Sequence, residues 1–86
     1  MAKYTLTESG KNFTTKKSIL FMKWMMDEDE EHWDNESDFI SEYAKKQYFL
    51  NRIILRIDTR QHFIEDLKKN NLLIIEEQKS LFSNFF

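Results

Sequence analysis

The 86-residue sequence contains no proline and a single glycine, Gly10. At average usage a chain of this length would carry about four prolines and about six glycines. Sandwiches and barrels of β-strands need these residues in their turns, so their scarcity favours helices. We therefore expect a mainly α fold, a small domain of about three helices with at most a short β element. We divide the chain into a helical body, residues 1–76, and an extended C-terminal peptide tail, residues 77–86.

The composition excludes several classes of protein. The sequence has no cysteine, which removes disulfides, thiolate zinc sites and cysteine nucleophiles. Hydrophobic residues make up 41% and charged residues 33%, a balance typical of a globular protein. No apolar run is long enough for a membrane span, and the first residues lack the apolar region of a signal peptide. We expect a cytoplasmic protein.

Capping residues and a 3.6-residue apolar period predict the helices. Thr14 or Thr15 could cap the first helix, and Ser37 is a good N-cap for the second. Asp58 and Thr59 indicate a break and a new cap, with Gln61 in the capping-box position. The predicted helices cover residues 16–27, 37–57 and 60–70.

For two shorter segments the sequence predicts structure other than a helix. Residues 1–15 alternate weakly between apolar and polar side chains around Gly10, which fits a short hairpin or a frayed arm equally well. The four apolar residues 72–75 are too few for a helix. They indicate a buried strand or an extended docking segment.

The formal net charge of -2 conceals two regions of opposite sign. Thirteen bases against the seven remaining acids leave the chain outside residues 27–38 at +6. We interpret residues 28–36 as a solvated loop with Trp33 as its anchor, although an acidic segment could also contact a partner. The eight acids of this segment are Asp27, Glu28, Asp29, Glu30, Glu31, Asp34, Glu36 and Asp38.

The segment from Ser18 to Met26 is almost wholly apolar. A helix of this composition has more apolar surface than a one-sided core in so small a domain can cover. We therefore expect part of it to bind another protein, unless the later helices bury both of its faces. The candidate residues for this contact are Phe21, Met22, Trp24 and Met25.

The residues that could support catalysis do not form a recognisable constellation. His32 and His62 lack the spacing of a helical metal pair, and a single glycine cannot form a nucleotide-binding loop. We expect no enzyme activity, no metal and no cofactor. Residues 63–75 resemble the run from recognition helix to wing strand in winged-helix DNA-binding domains, but their acids and the pI near 5.7 oppose DNA binding. A basic ridge is predicted at Arg52, Arg56 and Arg60, if the second helix continues that far.

The segment from Gln78 to Phe86 is the most specific signal in the chain. Three of the eight phenylalanines lie in its last five positions, and burying such a side chain is favourable by roughly 1.5 to 3 kcal/mol. Its Gln-x-Ser-Leu-Phe pattern resembles peptides that bind bacterial sliding clamps. Leu-Phe followed by further aromatics is similar to the tails of T-even-type phage DNA polymerases and late-transcription factors. The resemblance implies clamp-binding roles for Gln78, Ser80, Leu81, Phe82, Phe85 and Phe86.

A small acidic helical body ending in such a peptide is similar to the late-promoter transcription co-activators of T-even-like phages. The resemblance implies that the body binds the β flap of the host RNA polymerase while the tail holds a DNA sliding clamp. It also implies a monomer within a larger complex, without membrane contact or sequence-specific DNA binding. Two alternatives remain. One is a clamp-binding replication or repair accessory protein, and the other is an acidic DNA mimic that inhibits a host DNA-binding enzyme through residues 27–38.

Overall fold

A computed structural model of the protein describes residues 1–77. Three helices and three strands occur in this part of the chain. In chain order they are β1 (Ala2–Leu6), β2 (Asn12–Thr15), α1 (Ser18–Glu28), α2 (Glu36–Asn51), α3 (Arg60–Lys69) and β3 (Leu73–Glu77). The expectation of a mainly α fold is wrong, because the strands form an antiparallel sheet and the fold is an α+β mixture.

The sheet has the order β2-β1-β3, so the first strand lies in the centre. Tyr4 of β1 lies opposite Phe13 of β2 and Ile75 of β3. The single glycine serves the hairpin turn, where Gly10 has a φ of 76° and donates its N–H to Leu6 O at 2.8 Å. The hairpin and the strand near residues 72–75 are therefore confirmed, and the frayed arm is not present.

The core lies between one face of the sheet and the three helices. Phe21, Phe63 and Leu67 are completely buried, and Tyr4 stacks on Phe21 with ring centroids 4.4 Å apart. The opposite face of the sheet is largely polar, as alternation along β1 requires. The buried core residues are Tyr4, Phe21, Met22, Met25, Phe39, Ile40, Leu55, Phe63, Ile64, Leu67, Leu72 and Leu73.

The first two helices start at other residues than predicted because of local capping chemistry, whereas α3 starts at Arg60 as predicted. Thr15 belongs to β2, so α1 begins only at Ser18, with Lys17 at its N-cap and no side-chain cap bond. Asn35, not Ser37, caps α2 by accepting the Asp38 N–H at 2.8 Å. Thr59 caps α3 by accepting the His62 N–H at 3.0 Å, as the predicted break at this point requires.

The second helix ends at Asn51, six residues before the predicted end at residue 57. Arg52 adopts the left-handed conformation, with a φ of 58°, and its N–H reaches Tyr48 O at 3.0 Å. The chain then turns so that Leu55, which is 6% exposed, enters the core. Burial of Leu55, with Ile53 partly buried beside it, thus overrides the helical periodicity.

Candidate protein interaction surface

The four residues predicted to face the polymerase lie on α1, but three of them are core residues. Phe21, Met22 and Met25 are 0%, 1% and 4% exposed. Trp24 is half-buried and stacks on Phe13 at 5.5 Å between ring centroids. Phe21 and Trp24 stack on residues of the sheet, and the other two helices also pack on α1, so the expectation that these four residues form an exposed docking surface is wrong. A hairpin and a strand were predicted separately, but their pairing into a sheet that covers this helix was not.

Apolar surface is exposed elsewhere, around the end of α2. Among residues 1–77 nine large apolar side chains are exposed, and five of them lie within ten consecutive positions. The exposed areas of these five residues sum to roughly 500 to 700 Å². We call them the 48–57 patch: Tyr48, Phe49, Leu50, Ile54 and Ile57, exposed by 46%, 67%, 77%, 76% and 52%.

A shallow groove of about 410 Å³ runs between α2 and the extended segment that follows it. Tyr48, Ile54 and Ile57 of the patch lie along this groove, and the ring of Phe49 is 6.0 Å from that of Tyr48. The complete lining is Ser41, Ala44, Lys45, Tyr48, Ile53, Ile54, Leu55 and Ile57.

The extended segment is held in place by an ion pair with α3. Asp66, only 7% exposed, accepts hydrogen bonds from Arg56 N at 2.8 Å and from Arg56 Nε at 3.0 Å, both on Oδ2. Its Oδ1 accepts a third bond from Arg56 Nη2 at 3.0 Å. These bonds lower the pKa of Asp66 from its ordinary value, because they favour the ionised carboxylate. One side of the groove is the helix α2, and the other is this extended segment, which Asp66 holds in place, so the groove exists before any partner binds.

The prediction of a basic ridge is wrong. The helix α2 ends at Asn51, so Arg52, Arg56 and Arg60 do not lie on one helix face. Arg56 pairs with Asp66 and Arg60 forms a bidentate pair with Glu36, at 2.6 and 2.8 Å. Arg52 lies over the ring of Tyr48, 5.5 Å from its centroid. Two of the three cations thus stabilise the fold, and only Arg52 belongs to the surface of the patch.

The middle of the acidic segment, residues 29–35, is a loop anchored by Trp33, close to the predicted bounds of 28–36. Trp33 Nε1 donates a hydrogen bond to Asp29 Oδ2 at 2.9 Å, and its ring meets Phe39 edge-on at 5.8 Å. The loop between α1 and α2 thereby remains attached to the core although most of its carboxylates are exposed.

Each of the two histidines contacts a single carboxylate and not a set of metal-ligating side chains. His62 Nδ1 lies 2.9 Å from Asp58 Oδ2 at the start of α3, and this contact lowers the pKa of Asp58. His32 Nε2 lies 3.2 Å from Asp34 Oδ1 in the exposed loop. No group of three or more metal-ligating side chains occurs among residues 1–77.

A second groove, of about 300 Å³, connects the end of α2 with the β1–β2 hairpin turn. Leu50 of the patch lies along it, and Gln47 Nε2 donates to Glu8 Oε1 in the turn at 3.2 Å. Burial, with a smaller effect of Glu8, raises the pKa of Tyr43 in this groove to about 12. The patch therefore begins at the hairpin-turn end of the sheet.

The last strand ends at the opposite end of the sheet. Glu77, the last residue of β3, pairs with Ala2, whereas Leu73 pairs with Leu6 beside the hairpin turn. The first residue of the predicted tail, Glu77, thus still belongs to the sheet as the last residue of β3. A five-residue strand is roughly 13 to 17 Å long, so Glu77 lies about that far from the end of the sheet that carries the hairpin turn.

The predicted clamp-binding residues Gln78, Ser80, Leu81, Phe82, Phe85 and Phe86 lie outside the residues that the structure describes. Comparisons of the chain with protein families, with curated proteins and with solved structures gave no match. Within residues 1–77 no helix is both long and apolar enough to cross a membrane.

Proposed function

We propose that the protein is an adaptor that tethers host RNA polymerase to a DNA sliding clamp, as a late-transcription co-activator in the host cytoplasm. The body binds the β flap of the polymerase, and the tail binds the clamp. The protein itself performs no chemistry. The tail part of the proposal is supported by the Gln-x-Ser-Leu-Phe pattern and the terminal aromatics of residues 78–86.

The 48–57 patch takes the place of α1 as the polymerase-binding surface in this proposal. Phe49, Leu50 and Ile54 are each more than 65% exposed, whereas the side chains first considered on α1 are largely enclosed by the sheet. Large apolar side chains at such exposure favour association with another protein, because leaving water stabilises the complex.

The observation that carries the proposal is that the exposed patch begins at one end of the sheet while β3 ends at the other. The patch begins beside the hairpin turn, and Glu77, the last residue of β3, lies next to Ala2. A short tether between two binders raises their local concentration to roughly the millimolar range, which is the function of such an adaptor.

The proposal is tested by assembling the complex from purified bacterial core RNA polymerase, a phage sliding clamp and the full-length protein. We expect one complex that contains all three on size-exclusion chromatography, and polymerase and clamp that separate without the protein. A double variant, Leu81→Ala with Phe82→Ala, should retain the polymerase and lose the clamp.

Other results would contradict the proposal. If the protein binds clamp but not polymerase, it is a clamp-binding replication or repair accessory protein. If it binds neither, while substitutions in residues 27–38 prevent inhibition of a DNA-binding enzyme, the DNA-mimic alternative is correct.

A further inference from the structure

Basic residues outnumber acidic residues in the segment that forms the groove between α2 and residues 53–57. Residues 39–57 contain four bases and one acid, Glu42. Arg56 is matched by Asp66 and Glu65 on α3, and Lys45 Nζ lies 3.4 Å from Glu42 Oε1 in an exposed pair. Arg52 lies over the ring of Tyr48 in the lining, and the described part of the chain places no carboxylate within 4.0 Å of it. The groove therefore has a mainly apolar lining and a basic rim formed by Lys45 and Arg52.

From this arrangement we infer that the groove between α2 and residues 53–57 receives an apolar protein segment that carries carboxylates beside its apolar side chains. The inference rests on the proposed function, and it specifies the chemistry of the polymerase surface that the body recognises. Apolar side chains of that segment lie against Tyr48, Ile54 and Ile57, and its carboxylates approach Lys45 and Arg52. Charge complementarity of this kind accelerates association and selects one partner over others.

A membrane surface is a poorer match for the same residues. Apolar and basic side chains also attract anionic lipid, but a bilayer is flat on this scale and does not fill a groove with Ala44 and Ile53 in its lining. The eight acids of residues 27–38 would also be repelled by anionic headgroups. The preformed groove, fixed by the bonds of Asp66 to Arg56, favours a protein segment of defined shape.

The inference is tested by measuring the affinity of full-length variants for purified bacterial core RNA polymerase. The double variant Lys45→Glu with Arg52→Glu reverses the charge of the groove rim. The variant Ile54→Asp places a charge in the groove, at a position that is 76% exposed, so folding is not at risk. The matched control is Lys16→Glu with Lys17→Glu, which changes the net charge equally at the other end of the sheet.

We expect the rim double variant and Ile54→Asp each to weaken binding at least about tenfold, and the control to stay within about twofold. The effect of the rim variant should shrink when the salt concentration rises from about 50 to about 200 mM, because exposed charges are screened. Circular dichroism establishes that each variant is folded.

The failures are distinguishable. If the wild-type protein binds polymerase and both patch variants bind equally well, the inference is wrong and the adaptor function stands with another surface. If the wild-type protein does not bind polymerase, the proposed function fails and the inference fails with it. Binding to phosphatidylglycerol vesicles that is lost in the same patch variants would replace the protein partner by a membrane.

Discussion

At the scale of single residues, Asp66 has the most concentrated set of interactions in the described chain. Its two carboxylate oxygens accept three hydrogen bonds from Arg56, one of them from the backbone. The side-chain bonds, more than the backbone bond, lower the pKa of Asp66 from the ordinary 3.8. The native state therefore binds this proton less readily than the unfolded state, so the pair stabilises the fold above the ordinary pKa and loses its effect in acid.

We predict that Asp66→Asn lowers the free energy of unfolding at pH 7 by about 1 kcal/mol, a moderate value because Arg56 is half-exposed. The difference between wild type and variant should shrink as the pH falls below about 4, where the carboxylate of the unfolded state takes up a proton, and it should vanish once the pH is below the lowered pKa of the native carboxylate. Urea titrations between about pH 7 and about pH 2 measure this difference. A difference that does not depend on pH would contradict the assigned role.

Phe21 provides the second prediction at this scale. It is completely buried, stacks on Tyr4 and lies 5.9 Å from the ring of Trp24. Phe21→Ala should lower the free energy of unfolding by about 3 to 5 kcal/mol, because it leaves a cavity beneath the sheet. The control is Ile19→Ala on the same helix, where the side chain is 50% exposed and the cost should be below about 1 kcal/mol. Equal effects in denaturant titrations would show that the side of α1 facing the sheet has been misassigned.

At the scale of elements, the three helices begin with unequal caps. The side chains of Asn35 and Thr59 accept N–H groups at the starts of α2 and α3, whereas Lys17 at the start of α1 makes no such bond. Lysine at this position also places a positive charge next to the positive end of the helix dipole. The first helix therefore depends on its packing more than the other two.

We predict that Lys17→Asp stabilises the protein by about 0.5 to 1 kcal/mol, because the N-cap already has the extended conformation that a capping aspartate needs. Lys16→Asp is the matched control, since it makes the same charge change one residue before the cap. Thermal unfolding followed by circular dichroism measures both. An equal gain in the two variants would mean that net charge, not capping, is responsible.

The helices were largely predictable from the sequence, and the sheet was not. Helical periodicity and the cap at Thr59 are local properties, so the existence of all three helices could be derived from them. The strands have four or five residues each and pair over long sequence distances, which leaves little local signal beyond the weak alternation before Gly10. The end of α2 was missed because Arg52, rather than a glycine, takes the left-handed position.

The candidate surface was also only partly predictable from the sequence. The anchoring of the acidic loop by Trp33 could be predicted, because an isolated aromatic among carboxylates needs a partner. The exposed patch could not, because Leu50, Ile54 and Ile57 fit an inward-facing helical stripe as long as the helix is taken to continue to residue 57. Only the early turn at Arg52, caused by burial of Leu55, leaves them exposed.

At the scale of the whole molecule, the proposed adaptor has two binding regions that should act independently. A peptide of residues 77–86 should bind a purified phage clamp with micromolar affinity, because ordering the peptide opposes binding. We predict that Leu81→Ala or Phe82→Ala weakens this binding about thirtyfold, or about 2 kcal/mol. Ser83→Ala should have little effect. Titration of the labelled peptides measures this, and no saturable binding at tens of micromolar would exclude a portable clamp ligand.

The central position of β1 has a consequence for synthesis. The first strand is made early, yet its second neighbour is β3, and the amino group of Met1 lies 3.4 Å from Glu77 Oε1, 76 positions along the chain. Contacts over such distances form late, because a long loop must close before they are gained. On the ribosome β1 therefore waits for residues 73–77, and the segment 78–86 follows them directly. A chain truncated before residue 73 loses the third strand together with the segment proposed to bind the clamp, so incomplete products cannot compete for it.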